Sequence, residues 1–178
     1  MKILTLLRHA KSAWDDPVQR DYDRPLNPRG RRAARTVGRE MKALGLSFDS
    51  VIASPARRVR ETLDEVAAVF GDMSPRFDER LYLASARTLL NVAHEGPDAV
   101  ERLMLVGHNP GLEELALRLA APGAGPLRDE VELKYPTGTL AQIELPAARW
   151  SEVREGTGRL VRFIRPRDLD PELGPDGS

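Results

Sequence analysis

The chain contains no cysteine, so disulfides, thiolate metal sites and cysteine nucleophiles are all excluded. It also lacks any run of about 18 or more apolar residues, the length that a membrane-spanning helix requires. The opening apolar stretch, ILTLL, breaks off at Arg8 and is too short for a signal peptide, so a cytoplasmic protein is expected. Net charge is missing too. Lys plus Arg and Asp plus Glu number 27 each, which removes the electrostatic case for nucleic acid or a membrane surface as the main partner. Internal repeats and low-complexity tracts are absent.

What is present is unevenly spread. Residues 1–60 carry 14 basic and 6 acidic side chains, and residues 61–178 carry 13 and 21, so the first third is the part expected to face an anion. At 178 residues and 41% hydrophobic, the chain can bury one sizeable core. A single domain is expected over residues 1–166, followed by a flexible tail, 167–178, rich in proline, glycine and acid.

Strand and helix signals alternate with short connections, the pattern of an α/β protein whose sheet is covered by helices. KILTLL (2–7) reads as the first strand. Residues 10–26 are polar, contain Pro17 and Pro25, and read as a long loop of the kind that usually has a role. Asn27 is placed to cap a helix with Pro28 at its first position, and Ala34, Val37, Met41 and Leu44 recur at helical spacing until Gly45 ends it. A strand at DSVIAS leads into a second helix at SPARR, with Ser54 as cap and Pro55 in the first turn. A short strand near FDERLY is followed by a helix from Ser85 to about His94, a buried strand RLMLVG and a helix in PGLEELALRLAA. APGAGPLRDE reads as a loop, and TLAQIEL and RLVRFI as two last strands.

Three of these strands end alike: LTLL runs into Arg8 and His9, VIAS into Arg57 and Arg58, and LMLVG into His108 and Asn109. Ligand sites in open α/β sheets lie beyond the carboxyl ends of the strands. If the three are parallel neighbours, two histidines and at least two arginines converge on one crevice, with helix N-termini at Pro55 and Pro110 aimed at it. Arginine offers a fixed fork of donors suited to phosphate oxygens. A neutral imidazole is a nucleophile, whereas a charged one is a donor. The pattern points to phosphoryl transfer through a phosphohistidine intermediate. Taken singly, each residue has a plainer account: His9 as a strand-end cap, the Gly and Pro of VGHNPG as turn punctuation, Arg57, Arg58 and Arg60 as a solvated helix face, His94 as a helix C-terminal charge partner. Their combination favours the pocket.

RHAKS, SPARRVRET and VGHNPG, in that order, resemble the motifs of the histidine phosphatase superfamily, which includes phosphoglycerate mutases and acid phosphatases; RHA stands where that family has an RHG-type motif. With DYDRPLNPRG, LYLAS, VGHNPGLEEL and the late GRLVRF segment, the chain is similar to the small phosphohistidine phosphatase branch, the SixA-like proteins, over about residues 2–166. The resemblance implies a phosphoglycerate mutase-like three-layer sandwich, with a mostly parallel central sheet and helices on both faces. It implies that His9 is the phosphorylated nucleophile, that Arg8 and Arg58 bind phosphate and that His108 is the second histidine holding the phosphoryl group. Asn109 and Lys11 follow as further pocket residues, and no metal or other cofactor is implied. Arg58 rather than Arg57 is matched because Ser54, Arg58 and Thr62 keep the family spacing.

Many ester-cleaving relatives place an acid in the segment that here reads DERLYLASA, and its position falls near Leu83, with Asp78 and Glu79 close by. An ester leaves as an alkoxide unless protonated, and a placed acid contributes about 10²–10⁴-fold. A phosphohistidine expels an imidazole whose conjugate acid has a pKa of ~6.5 and needs little such help. The expected substrate is therefore a phosphohistidine-bearing protein, met by a monomer with an open site, and neither nucleic acid nor membrane is an expected partner. Asp21 and Asp23 are expected either to orient His9 or the water, or to pair with Arg24, Arg29 or Arg32 and order the loop. Two alternatives stand beside this: a small-molecule phosphomonoesterase using Glu79 or a loop Asp as acid, and a catalytically silent phosphate-binding or adaptor module.

Overall fold

The computed structural model describes every residue except 18, 124 and 175–178. One sheet is built from β1 (Lys2–Arg8), β2 (Ser50–Ala53), β3 (Arg76–Phe77), β4 (Arg102–Gly107), β5 (Leu140–Leu145) and β6 (Arg159–Ile164), in the spatial order β3-β2-β4-β1-β5-β6. β3, β2, β4 and β1 run parallel. β5 pairs antiparallel with β1, and β6 antiparallel with β5, so among the described strands β5 alone is reversed. The three strand ends that carry charge do meet: Arg8 is level with Gly107 across β1 and β4, and Ala53 with Val106 across β2 and β4.

Strand alternation sorts the helices onto two faces. Leu4, Leu6, Leu103 and Leu105 point to one side, where they meet α3 (Ala86–His94), α4 (Gly111–Leu119) and α5 (Pro126–Leu133). Leu7, Met104 and Val106 point to the other, against α1 (Pro28–Ala43) and α2 (Arg57–Phe70). Both sets are buried, which is why β1 and β4 read as unbroken apolar runs rather than as alternating ones. The result is a three-layer α/β sandwich. β1 leads into a helix on one face, while its neighbour β4 leads into a helix on the other. A crevice opens at such a switch point, and His9 and His108 stand directly after these two strands.

Local signals explain most boundaries. Asn27 Oδ1 accepts the Gly30 amide at 2.7 Å and starts α1, and Gly45, at φ +68°, ends it in a conformation that glycine tolerates. Ser85 caps α3 by accepting the Thr88 amide.

The structure corrects three expectations. Ser54 does not cap α2: the helix begins at Arg57 behind Ala56, with no side-chain cap, and the Ser54 hydroxyl is engaged elsewhere. The presumed loop at APGAGPLRDE contains α5, because Leu127 and Val131, one turn apart, pack on the α3 and α4 face and Pro126 is suited to a first helical position. Part of the segment expected as a tail is built into the fold. Pro166–Leu169 form α6, Pro171–Leu173 a 3-10 turn with Leu173 buried, and Arg32 of α1 grips Asp170 and Glu172; positions 175–178 lie outside the described residues. Among the described residues no helix is long and apolar enough to cross a membrane.

Candidate active site

His9 continues the β1–β4 ladder, its amide donating to the Gly107 carbonyl. The residue is only 7% exposed, with Nδ1 2.7 Å from the Ala10 carbonyl. A carbonyl can only accept, so Nδ1 carries the proton and Nε2 keeps its lone pair, 3.4 Å from Arg58 Nε. The turn after His9 is clamped by α2: the Ala10 amide donates to Thr62 Oγ1, and that hydroxyl donates to the Arg58 carbonyl.

His108 is set by the same elimination. Arg58 Nη2 can only donate, so at 3.2 Å it gives its proton to Nδ1 of His108, and His108 Nε2–H donates to Ser54 Oγ at 2.8 Å. The two imidazoles lie 5.3 Å apart, centroid to centroid. Burial above all pushes His9 well below the ordinary histidine range, and His108, Arg58 and Arg8 add to the push against the opposing Ala10 carbonyl. His108 is pushed down to about 3, first by burial and then by Arg58. Both rings are neutral near pH 7.

Arg8 rests one donor on main chain, Nη1 on the Tyr135 carbonyl at 2.9 Å, while its buried Nε has no hydrogen-bond partner in the protein. Asn109 Nδ2 donates to the same carbonyl at 3.0 Å, and Asn109 Oδ1 accepts the Glu113 amide. Tyr135 is buried and anchored through its hydroxyl to the Leu6 carbonyl.

Arg58, 2% exposed, is held by Asp21: Nη1 donates to the main-chain carbonyl at 2.7 Å and Nη2 to Oδ2 at 3.0 Å. Asp21 also accepts from Tyr82 Oη at 2.6 Å and from both Nε and Nη2 of Arg24. Burial alone would raise the Asp21 carboxyl. The hydrogen bonds from Tyr82 and Arg24 and the charge on Arg58 outweigh it and hold the group at about 2. Asp21 thus pairs with arginines, the second of the two roles expected for it. Asp23 pairs with Arg20, and Asp78 with Arg80.

A cavity of about 330 Å³ joins these groups, and all six of the anticipated residues, Arg8, His9, Lys11, Arg58, His108 and Asn109, line it. Arg57 instead faces solvent beside Glu61, because neighbouring helix positions point apart. Trp14, Asp21, Arg24 and Leu83 complete much of the wall; Asp23, Asp78 and Glu79 do not reach it. Leu83 stands at the mouth, 56% exposed, at φ +50°. The close approach of α4 fixes the chain beside it: a Cβ on Gly111 would sit 2.0 Å from the Ala84 carbonyl oxygen. At the two helix N-termini expected to offer free amides, some of the amides are satisfied from within. Leu112 and Glu113 amides go to the His108 carbonyl and Asn109 Oδ1, and the Ala56 amide to Ser54 Oγ. The larger cleft of about 600 Å³ at the opposite end of the sheet, lined by Arg102, Glu144, Arg159 and Arg162, contains no histidine. Among the described residues no three His, Asp or Glu side chains cluster as a metal would require.

Sequence reasoning missed Trp14, Tyr82 and Tyr135. Tyr82 lies in the LYLAS stretch and was open to notice, but Tyr135 contributes a main-chain carbonyl, which no side-chain pattern reveals.

The histidine phosphatase superfamily (branch 1) profile matches residues 4–83, a span that holds Arg8, His9 and Arg58 but ends before His108. An uncharacterized protein of Mycobacterium tuberculosis is 36% identical over 163 residues, covering 90% of this chain and 100% of the relative. A solved structure of a candidate phosphohistidine phosphatase SixA from Agrobacterium tumefaciens superposes with a TM-score of 0.77 at 28% identity, over 92% of this chain and 97% of that one. A second, from Nakamurella multipartitia, gives 0.80 at 26% identity, over 93% and 96%. With the fold shared over more than nine-tenths of the chain and the two histidines at adjacent strand ends, the chain belongs to the histidine phosphatase superfamily, branch 1, and has the phosphoglycerate mutase-like fold of the SixA structures.

Proposed function

We propose that the protein is a phosphohistidine phosphatase that works through a phosphoenzyme on His9, and that its substrate phosphoryl group sits on a histidine of another protein. The observation that carries this reading is the lack of a usable acid in the pocket. Among the described residues the single carboxylate lining it, Asp21, is held ionised by Tyr82, Arg24 and Arg58, and a leucine stands at position 83. Glu113 is pushed up by burial and feels Arg8, but it does not line the cavity. An alkoxide would leave such a site poorly, whereas an imidazole leaves without help.

In the first step the Nε2 lone pair of neutral His9 attacks phosphorus in line, while Arg8 and Arg58 offset a phosphoryl charge of about two. The substrate ring enters protonated on its distal nitrogen. The P–N bond breaks, its electron pair stays on the substrate nitrogen, and a neutral imidazole departs. When the phosphoryl dianion binds, His108 takes up a proton from solvent on Nδ1, Arg58 Nη2 turns from that nitrogen to a phosphoryl oxygen, and Nδ1–H donates to another oxygen while Nε2–H stays on Ser54. In the second step water adds to phosphorus and its proton passes to solvent. The bond to Nε2 breaks and inorganic phosphate leaves. Because Nδ1–H rests on the Ala10 carbonyl throughout, His9 also departs as a neutral imidazole, so neither step calls for an acid.

Rapid-quench trapping tests the covalent step: an acid-labile phosphoenzyme should form in the wild type and not in His9→Ala. No phosphoenzyme in the wild type would point to the silent binding module instead. A side-by-side kcat/KM comparison tests the substrate class, and faster turnover of a sugar phosphate than of a phosphohistidine protein would overturn it.

A further inference from the structure

We infer that Trp14 and Leu83 form a leaving-group subsite, an apolar clamp that holds the imidazole ring of the phosphohistidine at the pocket mouth while the cations hold its phosphoryl group below. The inference rests on the function proposed above and adds the residues that would recognise the leaving group.

Among the described residues, large apolar side chains left exposed are few: Met1, Trp14, Phe77, Leu83 and Leu133. Two of these, Trp14 at 76% and Leu83 at 56% exposure, line this one cavity although they come from different connections of the chain. Neither position is casual. Leu83 occupies the left-handed region at φ +50°, where a branched side chain is disfavoured, yet it is held there with its side chain in solvent. Trp14 is fixed from one side by the Arg24 guanidinium, 3.3 Å from the ring centroid. Arg24 is itself buried, with Nη1 on Ser12 Oγ at 2.6 Å and its other donors on Asp21, so the indole is tied to the network that holds Arg58.

One face of the indole is thus occupied by a fixed cation, and the exposure of the ring leaves the other to a ligand. The polar demands of a substrate are met deeper in, by Arg8, Arg58 and His108. Among the described residues that line the cavity, Trp14 and Leu83 are the two large apolar side chains, and they offer the part of the substrate beyond the phosphoryl group an aromatic plane and an aliphatic side chain. A planar imidazole suits that wall, the more so when protonated, because the indole face attracts a cation. Leu83 then has two effects: it withholds an acid and supplies a contact to the ring.

Phosphoramidate separates the ring from the bond, since it presents the same P–N linkage with ammonia as leaving group. The ratio of kcat/KM for phosphohistidine over phosphoramidate should fall about three- to tenfold in Trp14→Ala and in Leu83→Ala, mainly through KM, the range a stacking contact supplies. Trp14→Phe should restore most of it. A wild-type ratio in both alanine variants overturns the subsite, including the case in which Trp14→Ala slackens Arg24 and slows both substrates equally. If the wild type hydrolyses phosphoramidate and esters but not phosphohistidine, the proposed function fails first, and the subsite with it.

Discussion

Replacing Leu83 with glutamate tests directly the proposed preference of this pocket for a P–N bond. With Asp21 held at about 2, only ~10⁻⁵ of molecules carry its proton at pH 7, so its capacity as an acid is negligible. Position 83 is more than half exposed at the mouth, and a glutamate there keeps a pKa of ~4.3, leaving ~2% protonated at a pH of about 6. Scaling the ~10²–10⁴-fold contribution of a placed acid by that fraction gives a gain of about 2- to 200-fold in kcat/KM for an alkyl ester such as glycerol phosphate. The gain should grow as the assay is made more acidic. Phosphohistidine turnover should not rise, because its imidazole needs no donor, and loss of the leucine contact should lower it somewhat. Glutamate tolerates the backbone at φ +50° no better and no worse than leucine, so the melting temperature should hold. The two substrates must therefore move apart. Parallel changes, or an ester rate indifferent to the new carboxyl as the pH falls from about 7.5 to 5.5, would refute the role assigned to the missing acid.

His108→Ala should lower kcat by about 10²–10³-fold with only a small shift in melting temperature, since the ring sits at a strand end among Arg58, Ser54 and Tyr82; a collapse of stability of similar severity would favour a structural role. Because burial drives His9 well below 6.5, the acid limb of kcat/KM should lie well below that pH, and a limb at 6.5 or above would contradict the neutral nucleophile. The same two depressed histidines remain neutral in the fold while the unfolded chain takes up protons below ~6.5, so denaturation midpoints should fall as the pH drops from there toward 3; Asp21, depressed to about 2, adds a further loss below its unfolded value of ~3.9. A flat midpoint across that window would show the rings to be solvated. Gly111→Ala places a methyl 2.0 Å from the Ala84 carbonyl oxygen and should cost about 1–3 kcal/mol in urea unfolding; an unchanged midpoint would contradict the close approach of α4.

Much of this site was legible in the sequence because its chemistry depends on side-chain type at the ends of apolar runs. β1 and β4 are buried on both faces, so their boundaries are sharp, and the charged residues that follow had to lie at the sheet edge. Arg57 and Arg58 could be told apart only through the spacing Ser54, Arg58, Thr62, and the helix phase explains why that spacing works: Arg58 and Thr62 lie one turn apart on the face toward His9. Contributions of the main chain left no trace. The carbonyls of Ala10, Tyr135 and Asp21, which set the His9 tautomer and hold Arg8 and Arg58, could come from any residue. The reversed direction of β5 was equally silent, since an apolar run has no polarity of its own, and the glycines around α5 masked a stripe as short as Leu127 and Val131.

Asp21 links the stability of the resting pocket to the substrate preference proposed for it. A buried guanidinium left without a partner is costly, and Arg58 is almost wholly withdrawn from water. The fold answers with Asp21, which gives Arg58 both a carboxylate oxygen and a main-chain carbonyl, and with Tyr82 and Arg24, which fix that carboxylate in place. Each of those donors stabilises the ionised form, so the better Asp21 serves as a counter-charge, the less it can give up a proton to a leaving group. An ester phosphatase built on this pocket would need a second carboxyl, free of arginines and close to the bridging oxygen, and the chain offers Leu83 at the mouth instead. A substrate whose leaving group carries its own proton removes the conflict, because Asp21 can then remain ionised beside Arg58 through the whole cycle.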